Sequence, residues 1–210
     1  MLIKNTVQEF NAILGSDAPA PGGGSVAALS GALGAELVSM VCNLSLGKDD
    51  LAAHQAELKA ALAKAGALAE SLLRRVDLDT EAFNEVMAAF KMPKGSDEEK
   101  QARSRAIQAG YQEAVRSPLS IARECLAVLR LAANILGKFN INAMSDLGVA
   151  GLEALAGLEG AVMNVRINLP SIKDEGFVRE IKAEVGAALT EGQALQAKIY
   201  SHVQGHLGGS

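Results

Sequence analysis

The stretch LKAALAKAGALAESLLRRV, residues 58–76, decides the fold class: its apolar positions Leu58, Leu62, Ala65, Leu68, Leu72 and Val76 recur at intervals of three and four. That is the period of an α-helix with one face against a core, and no alternating run with strand punctuation competes with it anywhere in the chain. The stripe resumes at Phe83, Val86 and Phe90, so a long helix is expected from Asp50 to about Lys91. Between Val76 and Phe83 the seam falls on Asp79 or its neighbour Thr80. A carboxylate facing a core must be paired, hydrogen-bonded or shifted in pKa, and such sites are enriched in catalysis. The alternative is that helix twist turns Asp79 out to solvent. Asp77 and Glu81 read as ordinary solvated charges.

The rest of the chain repeats the pattern. Thr6 caps a short helix to about Leu14, and Gly15, Pro19 and the run Pro21 to Gly24 then break the chain. A helix from Ser25 is ended by Gly47. Met92 to Gly95 form a turn, and Ser96 with Glu99 make a capping box that opens a second long helix, bent at Pro118 and ending near Gly137. Asn140 to Leu169 is the next helix, stopped by Pro170; Asp174 or Glu175 starts the last, which frays from Gly205 onward. Five long helices and a short N-terminal one, with short connections, describe an all-α antiparallel bundle. We read one domain over residues 1–210, with no internal repeat.

Composition agrees. In 210 residues, 49% are apolar, mostly Ala and Leu, with no Trp and two Tyr, which excludes disorder and is poor material for sheets. Twenty basic against twenty-four acidic side chains give a net charge of −4, so no basic surface dominates and nucleic acid is not an expected partner. The start of the chain lacks a basic region followed by an apolar run, and no stretch reads as a charge-free membrane span of about 18 residues. No membrane association and a cytoplasmic location are therefore expected. Cys42 and Cys125, far apart and without a paired-cysteine motif, read as core thiols. His202 and His206 are four apart but have no carboxylate or thiol beside them, and no metal is expected; His54 reads as a surface residue.

Some residues break the bland pattern. The helix from Asn140 to Leu169 is apolar or small nearly all round, which puts it in the middle of the bundle or in an oligomer interface. Along one face of it run Asp146, Ala150, Gly157, Gly160 and Asn164, with Asp146 and Asn164 eighteen residues and about 27 Å apart. Such a strip admits a close approach, either of a ligand or of another helix, with Asn164 and Asn168 then bonding neighbouring backbone. Pro21-Gly22-Gly23-Gly24-Ser25 ahead of a helix offers free backbone amides to a carboxylate, carbonyl or phosphate, or is a plain linker. It is no nucleotide loop, since neither Lys-Ser nor Lys-Thr closes it and no strand precedes it. Glu36 and Asn43 share a flank of the helix that follows, and Lys48 lies just past its end, where it can also satisfy terminal carbonyls.

These residues stand in an ordered set of motifs: Pro21 to Ala28, Ser39 to Lys48, Asp79-Thr80-Glu81-Ala82-Phe83, Met92-Pro93-Lys94 with Asp97 to Lys100, Ser145 to Ala150, and Asn164 to Leu169. In this succession, from about Phe10 to Asp174, the chain resembles the cyclodeaminase/cyclohydrolase family of folate enzymes. The resemblance implies a helical bundle that dimerises, a tetrahydrofolate derivative as substrate and no further cofactor. The Ser39 to Lys48 stretch looks most like stand-alone methenyltetrahydrofolate cyclohydrolases, which hydrolyse 5,10-methenyltetrahydrofolate to 10-formyltetrahydrofolate. The alternatives are a formiminotetrahydrofolate cyclodeaminase, which releases ammonia through a similar tetrahedral carbon, and a non-catalytic folate-binding scaffold. Either reaction needs a carboxylate to manage a proton and a second group to protonate the departing nitrogen. On residue type and motif match, Asp146 is the first candidate for the carboxylate, Asp79 the second, and Lys48 the acid or polariser. Gly22, Gly23, Gly24, Ser25, Asn43 and Asn164 would bind the pterin, and Lys94 the negative glutamate tail.

Overall fold

Among the described residues six α-helices build the protein: α1 (Val7–Leu14), α2 (Gly23–Asn43), α3 (Gln55–Phe90), α4 (Asp97–Asn134), α5 (Met144–Asn168) and α6 (Glu175–Leu207). The computed structural model describes residues 1–208, and of residues 79–84 only the helical backbone. Three helix starts follow directly from local sequence. Thr6 with Glu9, and Ser96 with Glu99, form reciprocal capping boxes at α1 and α4, and the Phe177 N–H donates to Asp174 at the start of α6.

Other boundaries differ from expectation because distant groups set them. Helix α2 begins at Gly23 and closes at Asn43, four residues before Gly47. The Ser45 hydroxyl donates to Val41 O at 2.6 Å and accepts the Asn140 N–H at 2.8 Å, diverting the chain before Gly47 takes its left-handed φ of 76°. Residues Asp49–His54 form a 3-10 segment, so α3 starts at Gln55 and not at Asp50. There the Gln55 side chain accepts the Gly47 N–H at 2.8 Å and donates to Leu51 O at 3.1 Å, holding the loop in place of another helical turn. On α3 the buried seam is Leu58, Ala61, Ala65, Ala69, Leu72 and Val76, with Leu62 and Leu68 on its flanks. At the far end α6 continues through Leu207 instead of fraying at Gly205.

Contacts fix the packing order. Helices α2, α3, α4 and α5 form a closed ring in which each touches the next, and α6 lies outside against α4 and α5. Within the ring neighbours run antiparallel: Ser25 meets Val76, Ser71 and Arg75 meet Glu124, Asn168 meets Ala114, and Gly23 meets Asn164. Helix α6 runs parallel to α4, because Arg123 pairs with Glu184 and Arg130 with Glu191 at the same offset. The core is lined by fully buried Leu58, Leu72, Ile121, Leu129, Leu147 and Leu158. Helix α2 has an 18-residue window of mean hydropathy 1.6, long and apolar enough by composition to cross a membrane although it carries the charge of Glu36. Of that window 61% is buried inside the bundle, as expected of a core helix.

Glycines allow α2 and α5 to meet backbone to backbone. A Cβ on Gly157 would stand 2.7 Å from Ala27 O and 2.8 Å from the Cys125 sulfur, and one on Gly34 would stand 2.9 Å from Ala150 O. The second adjustment concerns Pro118, which sits buried inside an uninterrupted α4. Proline has no N–H to give Ala114 O four residues earlier; the side-chain amide of Asn168 on α5 donates to that carbonyl at 3.1 Å instead.

Three substitutions have expected outcomes in thermal melts followed by circular dichroism. Gly157→Ala destabilises by about 1–3 kcal/mol through overpacking, whereas Gly186→Ala, with nothing near its Cβ on α6, stabilises by about 0.5–1 kcal/mol. Asn168→Ala orphans Ala114 O and costs about 1–3 kcal/mol, and the loss shrinks in a Pro118→Ala background, where an N–H is restored.

Candidate functional site

Antiparallel packing of α2 on α5 assigns the candidate residues to two ends of the bundle. At one end, a cis Ala20–Pro21 bond leads into Gly22, the extended N-cap of α2, which has no side chain to satisfy the first-turn amides. Gly22 and Gly23 are exposed and Gly24 is buried. A Cβ on Gly23 would lie 3.4 Å from the Asn164 side-chain nitrogen and 3.8 Å from its oxygen, so the loop and Asn164 meet. The Asn164 amide donates to Gly160 O at 2.9 Å. Ser25 has a different position from Gly22 and Gly23: it is fully buried and its hydroxyl donates to Val76 O at 2.8 Å, tying α2 to α3. Ser25 therefore ties helices together and presents no exposed atom to a ligand, contrary to its expected binding role. Free amides at a helix N-terminus, with the positive end of the dipole behind them, favour an anion or a polarised carbonyl.

Beyond this end α3 and α4 project past α2 as a hairpin. Its tip carries Lys94, which with Lys100, Arg103 and Lys173 lines a groove of about 370 Å³. Lys100 is paired with Asp97, and Arg103 donates to Phe90 O while lying over the Phe90 ring. The α5–α6 connection is clamped to the hairpin by Gln108, whose amide donates to Ser171 O and accepts the Lys173 N–H. The side chains of Asp79 and Glu81 lie outside the described residues.

At the opposite end stand Asp146, Asn43 and Lys48. Asp146 is half-buried in the first turn of α5, on the face turned to α2, with no hydrogen-bond or ion-pair partner among the described residues. Asn43 closes α2 exposed, and Lys48 is exposed at the head of the 3-10 segment. The loop carrying Lys48 is held by Ser45, Gln55 and Asn140, and the Asn140 amide donates to Leu44 O at 3.2 Å. Lys138, bonded to Glu57 at 2.7 Å, joins α4 to α3 nearby and holds the Glu57 carboxyl below its usual range. The structure thus brings Gly23 to Asn164, and Asp146, Asn43 and Lys48 to one end, and keeps the two groups apart within one chain.

Asp77 corrects the sequence reading. One of its oxygens accepts the Leu2 N–H, which docks the N-terminal turn on α3, and the other is buried without a partner. No local signal marks a partner 75 residues away. Both thiols are buried and free, and burial pushes Cys42 up to about 11 and Cys125 up to about 12, so neither supplies a thiolate. His206 is held to the His202 carbonyl, and burial together with the neighbouring His206 lowers the His202 pKa.

Residues 6–187 match the family described as formiminotransferase-cyclodeaminase. The methenyltetrahydrofolate cyclohydrolase of Methylorubrum extorquens is 44% identical over 199 residues, covering 95% of this chain and 96% of that protein. The formimidoyltransferase-cyclodeaminase of Sus scrofa is 30% identical over 97% of this chain, which spans only 38% of that larger protein. The crystal structure of formiminotetrahydrofolate cyclodeaminase from Thermotoga maritima shares the fold, with a TM-score of 0.88 over 99% of this chain and 100% of that one at 24% identity.

Proposed function

Because the chain belongs to the formiminotransferase-cyclodeaminase family, we propose that it is a methenyltetrahydrofolate cyclohydrolase, converting 5,10-methenyltetrahydrofolate and water to 10-formyltetrahydrofolate. The observation that carries this reading is the 44% identity to a cyclohydrolase of the same length, with nearly all of both chains aligned. The larger two-activity relatives are matched over little more than a third of their length.

In this reading water adds to the bridging carbon, which is electrophilic because positive charge is shared with its two nitrogens. Asp146 takes the proton that the water loses, and its negative charge balances the cationic substrate. The tetrahedral carbon then releases one nitrogen, which Lys48 protonates, while the carbinol hydroxyl loses its proton to become the formyl carbonyl on the other nitrogen; that proton recharges Lys48, and the one held by Asp146 is the net proton released to solvent. Amides of Gly22, Gly23 and Gly24, with Asn164 and Asn43, recognise the amide-rich pterin; Lys94 meets the glutamate carboxylates. A half-buried carboxylate without a partner on an otherwise apolar helix supports the choice of Asp146. Ammonia release from formiminotetrahydrofolate is the second reading, favoured by the cyclodeaminase names among the relatives. The protein is read as cytoplasmic, with α2 spent on the core.

The two ends are joined by a second copy. Leu33, Met40 and Leu44 on α2 and Val149, Leu152, Met163 and Ile167 on α5 are exposed, with Met163 at 66% and Ile167 at 76%. Together they make an apolar face along two adjacent helices, the kind of surface that marks an interaction site. A two-fold dimer laying this face on itself with the helices antiparallel sets the Asp146 end of one protomer over the glycine end of its partner. One active site then draws on both subunits.

The deciding assay follows loss of the methenyl chromophore, with formiminotetrahydrofolate offered separately. Hydrolysis without ammonia release is expected; ammonia release alone makes it a deaminase, and folate binding without either turnover makes it a scaffold. Asp146→Asn should lower turnover about 10²- to 10⁴-fold with helicity intact. Near-normal turnover would leave Asp146 as a first-turn carboxylate complementing the α5 dipole. Gly23→Val should weaken folate binding by more than its small effect on melting implies, and unchanged affinity would make the loop a linker. Leu33→Glu should convert dimer to monomer in sedimentation and remove activity; a wild-type monomer with full activity refutes the shared site.

A further inference from the structure

In this acidic protein most arginines have a carboxylate or carbonyl partner. Arg123 and Arg130 on α4 each make two bonds to Glu184 and Glu191 on α6, Arg75 is bonded to Glu124, and Arg74 to Glu70. Among the described residues, Arg166 near the end of α5, and Arg179 and Lys182 on α6, have no carboxylate within 4.0 Å, although Glu175 lines the same groove. These three cations line a groove of about 910 Å³ between the end of α5, the connection after it and the first half of α6. Arg166 forms one wall. Arg179 and Lys182, three residues apart on α6, form the other. The floor between them is apolar, made by Leu169, Ile172, Val178 and Val185.

Unpaired cations on two walls over an apolar floor suit a molecule with separated negative oxygens joined by an apolar body. A bare inorganic anion leaves the floor wet, and a neutral apolar molecule leaves the cations unused. The groove is separate from the glycine end: Arg166 and Asn164 are two residues apart on α5 and so point to nearly opposite sides of it. We propose that this groove is a binding site for an amphiphilic dianion, such as a dicarboxylate with an aliphatic or aromatic body. It goes beyond the cyclohydrolase reading, which uses none of the three cations.

Two sources share this chemistry: the p-aminobenzoylglutamate portion of a folate and an unrelated aliphatic dicarboxylate. Isothermal titration calorimetry of the full chain with p-aminobenzoylglutamate, with suberate and with inorganic phosphate separates them. The expected result is binding of at least one organic dianion, with phosphate at least tenfold weaker. Binding of p-aminobenzoylglutamate alone identifies the folate tail as the source, and suberate binding a separate metabolite. Arg179→Glu and, independently, Lys182→Glu should each weaken the organic dianion at least tenfold with the melting curve unchanged; methenyltetrahydrofolate turnover at low substrate falls with them if p-aminobenzoylglutamate is the dianion bound, and stays unchanged if suberate alone binds. Phosphate binding as tight as either dianion, heat with none of the probes, or charge reversals that leave affinity unchanged would overturn the proposal. Loss of turnover in the wild-type protein tests the cyclohydrolase reading alone and leaves these titrations unaffected.

Discussion

The close backbone approach of α2 to α5 is the constraint from which the remaining geometry follows. With hydrogen in place of a methyl group at Gly34 and Gly157, carbonyls of one helix lie at contact distance from the other, and the Cys125 side chain fills the adjoining space from α4. A Cβ at Gly157 would collide with backbone, which cannot swing away as a flexible side chain can. The same approach fixes the register that sets Gly23 beside Asn164 and leaves Asp146 at the other end of α5. It also leaves the outer sides of α2 and α5 uncovered, because α3, α4 and α6 all pack elsewhere.

Local chemistry was legible in the sequence where an element carries its own signal. The capping boxes at Thr6 and Ser96 and the Asp174 cap lie within three or four residues of the amides they satisfy, and those helix starts agree with the reading. Where the partner is remote, the reading slipped. The true start of α3 depends on Gln55 reaching Gly47 and Leu51, and the end of α2 on Ser45 bonding Asn140, 95 residues later. The missing N–H of Pro118 is visible in the sequence, whereas the compensating Asn168 amide is visible only once α5 is folded against α4. Of the candidate site, the meeting of the glycine loop with Asn164 is a consequence of packing that no spacing rule contains. The burial of Ser25, the Asp77 contact with Leu2 and the cations around the α5–α6 groove were likewise beyond it.

The separation of candidate groups is itself informative about how a small bundle can hold a long substrate. A helix of 25 residues is about 37 Å from end to end, more than one folate-sized molecule can bridge in a bent site. Among the described residues the ring interior is filled by Leu58, Leu72, Ile121 and their neighbours. The proposed surface site, shared between two copies across an apolar face, is compatible with such a solid core.

Helix α6 has its own consequence for how the protein opens. It follows the ring in sequence, packs on it from one side, and contributes Ile181, Val185, Ile199 and Val203 to the core, while its ionic links to α4 are at the surface. Surface pairs add little to stability, so α6 is held chiefly by those four buried side chains, on one side only, whereas α2 and α5 are each packed on several sides within the ring. In native-state hydrogen exchange, α6 amides therefore belong to a low-energy cooperative opening, below the global unfolding that governs α2 and α5. The closed ring is then expected to persist while its outer helix exchanges, giving two levels of stability along one chain.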